Sequence, residues 1–443
     1  MKISAARLAA FEILQKIETE KSFSSVLLPM YEEKLVAKDR ALCHALTLGV
    51  LRRQIYLDRV IEKLTNKPAE KLDAVIRIIL RLGLFQLLFL DKIPAHAAIN
   101  EAVNLAQKAK KTSAKGLVNA VLRRATREKI ELNFSDEIEK ISVENSHPRW
   151  LIEKWTRDFG LEEAAQIALA NNETPNSIFR LTAKSDENTV EILKKLGLEV
   201  IESKIVKDAW KISNSNEMLR VYADEGRIYF QDEASQLVAQ TIELKTGETF
   251  LDVCAAPGSK TTYVAKQKEK DERQKIIAGD FYDHRVRTLQ SNCRRQGADS
   301  VEIVRYDAEK DLPFADESFD WVLVDAPCSG TGTIRHNPEI RYFLRETDFA
   351  ELSLKQLRIL QNASKLIKAS GKIVYSTCSL EWEENEAVAE KFLAENEEFQ
   401  KVEPPIAKRF LTENDFARTF PHRDKTDGFF VAVFEKKRVF GKV

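Results

Sequence analysis

Apolar residues recur at helical spacing through the first part of the chain. Leu8, Phe11, Leu14 and Ile17 mark one face of a first helix. Similar faces follow near residues 40–52, 72–90, 96–109 and 114–127. Positions three, four and seven residues apart lie on one side of an α-helix, so the pattern indicates amphipathic helices that share a core. We therefore predict an all-α domain over residues 1–130.

The pattern changes twice after this helical region. Residues 131–145 carry few apolar positions and are predicted to form a linker. Over residues 146–240, a helix is expected to start near Pro148, strands are expected at 177–181 and 226–230, and a further helix is expected at 187–196. This mixture predicts a small α/β subdomain.

From residue 241 onward, short apolar runs alternate with helical patterns. The predicted strands are 249–255, 275–279, 301–305, 319–325 and 371–377. Such alternation is typical of βαβ units, so residues 241–443 are predicted to form an α/β domain with a parallel sheet. A late apolar run at 428–434 is predicted to be an antiparallel edge strand. Ligands of such sheets bind at the carboxyl ends of the strands.

The stretch 251–262, with sequence LDVCAAPGSKTT, combines a strand end, a small-residue turn and a helix start. We expect Gly258 to let a ligand approach the backbone and Ser259 to cap the helix, whose free amide groups then face that ligand. The loop has one glycine where a dinucleotide fingerprint needs three, and Ser259 separates Gly258 from Lys260, so Walker A is excluded. The pattern favours a small ligand other than a dinucleotide or nucleoside triphosphate.

Composition places the chain among ordinary globular proteins, and charge adds a pattern. Of the 443 residues, 44% are hydrophobic and 31% charged, with 69 basic residues balancing 69 acidic ones. The charges are segregated: residues 101–129 hold eight basic side chains against two acidic ones, whereas residues 381–403 hold nine acidic side chains against two basic ones. Such segregation is expected when one face of a protein binds a polyanion and another faces solvent. For the basic stretch, the alternative is that these residues simply lie on solvated helix faces.

Five cysteines lie at positions 43, 254, 293, 328 and 378, with no C-x-x-C pair. This spacing argues against a disulfide framework and against a zinc site, and it indicates a reducing compartment. Charged residues interrupt the first apolar segment, so no signal peptide is expected, and the most apolar run, 78–90, is too short to span a bilayer. We expect a cytoplasmic protein.

Three motifs in order resemble those of the RNA cytosine-5 methyltransferases. They are DVCAAPGSKT at 252–261, VDAPCSGTG at 324–332 and YSTCSL at 375–380. Ser259 stands where the commonest family form has a second glycine. Phrases in the helical region, GVLR at 49–52, LGLFQL at 82–87 and GLVNAVLRR at 116–124, resemble the NusB-type RNA-binding bundle of a bacterial branch of that family. The resemblance implies a NusB-like bundle, a small α+β subdomain that helps to grip RNA, and a Rossmann-like class I methyltransferase domain dependent on S-adenosyl-L-methionine.

The resemblance also implies roles for residues of the three motifs. Cys378 would be the nucleophile that adds to carbon 6 of cytosine, because carbon 5 alone is too weak a nucleophile to accept a methyl group. Cys328 would assist product release, although in the DNA cytosine-5 methyltransferases the Pro-Cys cysteine is itself the nucleophile. Asp325 would hydrogen-bond the edge of the base, and Lys260 would orient the base or stabilise charge.

Cofactor residues are expected in the loop and at strand ends. Asp280 would accept the ribose hydroxyls, and Asp307 would meet the adenine amino group. The full expected set is Cys254, Ala255, Ala256, Pro257, Gly258, Ser259, Lys260, Asp280, Asp307 and Asp325. Arg335, His336 and Arg341, which follow the Pro-Cys motif, would shape an RNA pocket. No metal site is expected.

The resemblance therefore implies methylation of carbon 5 of a cytosine in 16S ribosomal RNA, free or in a small-subunit assembly intermediate. The target base must be single-stranded, bulged or flipped out. We expect a monomer with no membrane partner and no obligate protein partner. A transfer RNA cytosine-5 methyltransferase and a non-catalytic RNA-binding assembly factor are the alternatives.

Overall fold

The computed structural model describes residues 3–267 and 274–438 and divides them into two compact units. The first unit extends to Thr174 and includes the segment Ile334–Glu346. The second contains Pro175–Thr333 and the chain from Thr347 onward. Within the described ranges, no helix is both long enough and apolar enough to cross a membrane.

Helices make up the first unit, as predicted. Their apolar faces meet in one core, in which Leu46, Leu57, Ile79 and Leu84 are fully buried. The helices are α1 Ala5–Glu20, α2 Ser24–Glu32, α3 Ala37–Arg52, α4 Gln54–Thr65, α5 Ala74–Phe89, α6 Ala95–Lys108, α7 Lys115–Ala125, α8 Glu137–Glu144, α9 Arg149–Phe159 and α10 Leu161–Ala170.

The predicted linker at 131–145 contains helix α8. Asp136 caps this helix by accepting a hydrogen bond from the Glu139 amide at 2.8 Å. Its inner face is short, with Ile141 and Val143 buried, which is why few apolar positions marked it in the sequence. Helices α9 and α10 also group with the first unit, although residues 146–240 were predicted to form one subdomain.

The segment Ile334–Glu346 is held in the first unit by buried polar contacts. The Glu339 carboxylate accepts hydrogen bonds from the Ser24 amide at 2.6 Å and from its hydroxyl at 2.9 Å. Arg341 is fully buried and donates to the carbonyl oxygens of Asn145 and Ser146, both at 3.1 Å. The expectation that Arg341 shapes an RNA pocket is wrong, because its guanidinium is buried and donates hydrogen bonds to backbone carbonyls within the first unit.

The second unit begins with a small antiparallel sheet in the strand order β2-β3-β1-β4. Helices cover one face, where Phe179, Leu193 and Leu219 are buried together. The elements are β1 Ser177–Leu181, α11 Thr189–Lys195, β2 Val200–Glu202, β3 Ala209–Ile212, α12 Glu217–Asp224 and β4 Ile228–Phe230.

A larger sheet follows, in the strand order β10-β12-β9-β8-β5-β6-β7. Helix α16, Ile340–Phe343, belongs to the first unit. The strands of the larger sheet and the helices of this part of the chain are, in order, α13 Glu233–Gln240, β5 Thr249–Asp252, α14 Ser259–Gln267, β6 Lys275–Asp280, α15 Asp283–Arg295, β7 Glu302–Arg305, β8 Phe319–Asp325, α17 Asp348–Ser364, β9 Ile367–Thr377, α18 Glu386–Glu395, β10 Phe399–Val402, β11 Ala417–Arg418, α19 Pro421–Asp424 and β12 Phe430–Lys436.

Strands β5 to β9 pair in parallel, as predicted, and β12 pairs antiparallel with β9. The prediction of β12 as an edge strand is wrong, because β10 pairs with its other side. Strand β10 escaped prediction because its four residues, FQKV, carry a weak apolar signal. The carboxyl ends of the parallel strands meet along one edge of the sheet, and the three sequence motifs lie there.

Replacing Arg341 tests the role of the segment Ile334–Glu346. We expect Arg341→Ala to lower the free energy of unfolding by about 3 kcal/mol, because several buried carbonyl groups lose a charged donor. Denaturant unfolding followed by circular dichroism measures this. Arg157→Ala is the matched control, since the Arg157 side chain is 65% exposed and its pairing with Glu346 spans 3.8 Å. The control should change stability by no more than about 0.5 kcal/mol, and an equal loss in both variants would contradict a structural role for Arg341.

Candidate active site

A cleft of about 370 Å³ opens along the carboxyl edge of the large sheet. It collects side chains from the ends of β5, β6, β7, β8 and β9. The lining residues predicted from the sequence are Cys254, Ala256, Asp280, Asp307, Asp325, Cys328 and Cys378. Motifs separated by more than 120 positions in the chain therefore share one cavity.

The two motif cysteines are in direct contact. The Sγ atoms of Cys328 and Cys378 lie 3.2 Å apart, and the Cys378 amide donates to Cys328 Sγ at 3.3 Å. The loops that carry them are packed together, because the Gly332 amide donates to the Cys378 carbonyl at 2.9 Å. A side chain cannot replace this glycine, since a Cβ there would lie 2.0 Å from the Gly428 carbonyl oxygen.

The surroundings of the cysteine pair disfavour a thiolate at Cys328. Its hydrogen bond with Cys378, followed by burial and by the negative charge of Glu384, raises the pKa of the Cys328 thiol well above its ordinary value. The hydrogen bond between the two sulfurs can run in either direction.

Lys260 and Asp325 form a buried ion pair beside the cysteines. Lys260 Nζ lies 2.6 Å from Asp325 Oδ2, and the lysine side chain is 7% exposed. Burial opposes the lysine charge, but Asp325 and the Cys378 sulfur outweigh it, so that the pKa of Lys260 is raised. The Ser376 hydroxyl donates to Asp325 Oδ1 at 2.8 Å. Both carboxylate oxygens of Asp325 are thus oriented, and the carboxylate faces the cleft.

Asp280 and Asp307 line another part of the cleft. Asp280 accepts hydrogen bonds from the amides of Ala256 at 3.2 Å and Phe281 at 2.8 Å, and its carboxylate lies 3.2 Å from the Arg285 guanidinium. Asp307 accepts from the Glu309 amide at 3.1 Å and keeps 28% of its side chain exposed. Two carboxylates in one cavity provide acceptors for a ligand with hydroxyl and amino groups.

Sequence reasoning missed two aromatic residues beside Asp280. Phe281 and Tyr282 are 46% and 53% exposed, lie edge to face at 4.8 Å, and line the same cleft. Large exposed aromatics beside a cavity are suited to stacking on a flat ring. Their position directly after Asp280, which follows the predicted strand 275–279, was the signal that could have found them.

Part of the predicted binding loop does not line the cleft. Of the described residues, Ala255, Pro257, Gly258, Ser259 and Lys260 are not among those lining the cavity. Gly258 has a φ of +99°, and a Cβ there would lie 2.8 Å from a Leu289 methyl group. Glycine is therefore required by contact with helix α15 and by backbone conformation. Helix α14 begins at Ser259 itself, so the expected capping role of Ser259 is wrong.

Arg180, which the sequence analysis did not single out, braces the loop from the small sheet. It is 1% exposed and donates to the Ser259 carbonyl at 3.0 Å and to the Thr262 hydroxyl at 2.8 Å. Burial lowers its pKa to about 10. An arginine inside an otherwise apolar strand was the available signal.

Three family models match the chain. They are 16S rRNA methyltransferase RsmB/F over residues 239–435, the NusB family over 4–127, and an RsmF/B-like ferredoxin-like domain over 147–218. A probable ribosomal RNA small subunit methyltransferase B of Bacillus subtilis is 33% identical, with 99% of this chain and 100% of that one covered. The chain belongs to the ribosomal RNA small subunit methyltransferase B family. A family member from Pseudomonas syringae is 36% identical over 88% of this chain and 86% of its own.

Solved structures show the same fold. The crystal structure of PH0851 matches with a TM-score of 0.83 and 28% identity, covering 98% of this chain and 100% of that one. NSun6 from Pyrococcus horikoshii with SFG matches with a TM-score of 0.58 and 22% identity, over 66% of this chain and 99% of that one. The family and the fold class predicted from the sequence, with a NusB-like domain first and the methyltransferase domain last, are confirmed.

Asp252 offers a test of the electrostatics beneath the cleft. Burial raises its pKa from 3.8 to about 7, and only Oδ2 has a hydrogen-bond partner among the described residues, the Thr261 hydroxyl at 2.7 Å. Because the folded-state pKa is raised, the stabilising contribution of the proton is complete below pH 3.8 and is lost as the pH rises through 7.

Asp252→Asn cannot ionise and should keep that contribution. We expect the stability of this variant relative to the unmodified protein to grow as the pH rises from 4 to 7 and to level off near roughly pH 8. Urea unfolding at several pH values measures it. Asp320→Asn is the control with the opposite sign, because Lys368 and Thr249 hold the pKa of Asp320 below its ordinary value despite burial. A pH-independent difference for Asp252→Asn would contradict the assignment.

Proposed function

We propose that the protein transfers a methyl group from S-adenosyl-L-methionine to carbon 5 of a cytosine in 16S ribosomal RNA, with Cys378 as the covalent nucleophile. The observation that carries the proposal is the contact between Cys328 and Cys378 at 3.2 Å in the wall of a cleft that also contains Asp325. A structural role alone does not explain two thiols placed side by side at a cavity surface.

The cleft fits the cofactor on its Asp280 side. The carboxylate of Asp280 would accept the ribose hydroxyls, Asp307 would accept the adenine amino group, and Phe281 would contact the ring face. When bound, S-adenosyl-L-methionine supplies an electrophilic methyl group. Arg285 keeps this wall in place by donating to the Ala256 carbonyl at 2.8 Å while it pairs with Asp280.

On the other side of the cleft, the Cys378 sulfur would attack carbon 6 of the cytosine. The new carbon–sulfur bond moves the electron pair of the 5,6 double bond to carbon 5. Carbon 5 would then take the methyl group, with S-adenosyl-L-homocysteine as the leaving group. Against the effect of burial, Asp325 and to a smaller extent the Cys378 sulfur raise the pKa of Lys260. Lys260 would therefore remain a cation beside the reacting groups, although it does not line the cavity itself.

Asp325 and Cys328 would complete the proton transfers. The Asp325 carboxylate is oriented by Lys260 and Ser376, and it would bind the amino edge of the base and position the ring. The Cys328 sulfur would take the proton from carbon 5, after which the carbon–sulfur bond to Cys378 breaks and the 5,6 double bond returns. Cys328 must be a thiolate to take this proton, so its own thiol proton would first pass to solvent.

The first unit is suited to hold the RNA backbone. Of the basic stretch 101–129, Lys108, Lys110 and Arg127 are exposed, whereas Lys111 pairs with Asp73 and Arg124 with Glu128. Exposed cations position phosphates without reading sequence, and the base would be recognised in the cleft. Action on ribosomal RNA would place the protein in the cytoplasm.

Methyl transfer from labelled S-adenosyl-L-methionine to unmodified 16S ribosomal RNA tests the proposal. We expect Cys378→Ala to lower transfer by ~10³-fold or more, because the nucleophile is lost. Cys328→Ala should accumulate a protein–RNA adduct visible on a denaturing gel, because release is blocked. Cys293→Ala, which removes a buried cysteine outside the site, should retain transfer.

The other outcomes are equally informative. An adduct that requires Cys328 and forms without Cys378 would reverse the two roles. Transfer to transfer RNA in preference to 16S ribosomal RNA would identify the other substrate class. Cofactor and RNA binding without any transfer by the unmodified protein would support a non-catalytic assembly factor.

A further inference from the structure

The Glu384 carboxylate is fully buried between the two cysteine loops. Its Oε1 accepts hydrogen bonds from the Ser329 amide at 2.9 Å and from Gln356 Nε2 at 2.9 Å. Its Oε2 accepts from the Ser379 hydroxyl at 2.6 Å and from the Ser329 hydroxyl. One carboxylate thus binds both loops at once.

The anchored serines directly follow the two cysteines in the chain. Ser329 follows Cys328, and Ser379 follows Cys378, so each sulfur is carried by a residue next to a fixed point. The two serine hydroxyls also lie 3.0 Å apart. A shift of either loop would break a hydrogen bond to Glu384 before the sulfurs could separate far.

Glu384 is itself held rigidly. The Tyr375 hydroxyl donates to its backbone carbonyl at 2.5 Å, and Gln356 Nε2 also donates to the Pro327 carbonyl at 3.0 Å, next to Cys328. Burying a carboxylate is unfavourable unless donors surround it, and the four donors to this carboxylate meet that requirement. The residue does not line the cleft, so contact with a bound ligand does not account for it.

We infer that Glu384 is a positioning residue, which sets the separation of the Cys328 and Cys378 sulfurs by binding Ser329 and Ser379. The effect of Glu384 on catalysis rests on the proposed function, whereas its effect on the distance between the two sulfurs is independent of that function. The negative charge of Glu384 also contributes to the raised pKa of the Cys328 thiol, behind its hydrogen bond with Cys378 and its burial. The hydrogen bonds and the negative charge of Glu384 therefore both act on the pair of cysteines, Cys328 and Cys378.

Disulfide trapping measures the sulfur separation without any RNA or cofactor. The oxidant is diamide: the two thiols lose two electrons and two protons as the S–S bond forms, and the N=N bond of diamide takes them up to become a hydrazine. The rate of appearance of the Cys328–Cys378 disulfide is followed by peptide mass spectrometry under native conditions. The unmodified protein should react rapidly, because the sulfurs are already in contact.

Glu384→Ala should slow disulfide formation by at least about tenfold, because the loops lose their common acceptor. Glu384→Gln should stay within about threefold of the unmodified protein, since serine hydroxyls can reorient to donate to or accept from an amide. Asp320→Ala is the matched control: it removes a carboxylate that accepts from Thr249 and Lys368 away from the cysteines, and it should react at the unmodified rate. If Glu384→Ala does not fold, the double variant Ser329→Ala, Ser379→Ala takes its place with the same expected slowing.

Steady-state kinetics then connect the geometry to the proposed activity. We expect Glu384→Ala to lower kcat while the KM values for RNA and cofactor change little, with recovery in Glu384→Gln. Disulfide formation at the unmodified rate in Glu384→Ala, or equal slowing in Asp320→Ala, would overturn the inference. Slow trapping in Glu384→Ala, combined with no methyl transfer by the unmodified protein, would retain the positioning role and reject the proposed function.

Discussion

Strands β8 and β9 run side by side in the same direction, with Asp325 opposite Ser376, and the whole site depends on this pairing. Neighbouring strands lie about 4.8 Å apart, so two chains that leave adjacent carboxyl ends begin close together. Cys378 comes one residue after β9 ends, and Cys328 comes three residues after β8 ends. Two sulfurs that are 50 positions apart in sequence are thereby brought into contact.

The elements around this pairing each constrain one part of the cleft. Arg180 fixes the start of helix α14, Arg285 fixes the wall that contains Asp280, and Glu384 fixes the two cysteine loops. These three side chains are bound mainly by backbone groups or by short polar side chains, whose positions follow from the fold. The cleft is therefore preorganised, which limits the reorganisation that a reaction in it would require.

The sequence was sufficient for features that depend on local pattern or on a motif. Strand–helix alternation predicted the parallel sheet, and motifs identified Cys328, Cys378 and Asp325, which the structure brings into one cavity. Features that depend on distant partners were missed. Strand β10 is short and is defined by its pairing with β12, and Gly258 is required by Leu289, a contact that no local pattern contains.

The same reason explains the buried charges that sequence reasoning passed over. Glu384 lies in an acidic stretch that was interpreted only through its charge, yet it is buried because donors from two loops converge on it. Arg341 was expected at an RNA pocket and instead binds carbonyl groups within the first unit. A charged residue is assigned to surface or interior by its hydrogen-bond partners, which only the folded chain provides.

The central claim, that Cys378 is the covalent nucleophile toward cytosine, is tested most directly with RNA that carries 5-fluorocytidine. Fluorine at carbon 5 cannot leave as a proton does, so the adduct should persist after methyl transfer. Digestion and mass spectrometry of the trapped complex would locate the modified peptide. The account predicts one nucleotide linked to Cys378, and linkage to Cys328, or methylated RNA without any adduct, would contradict it.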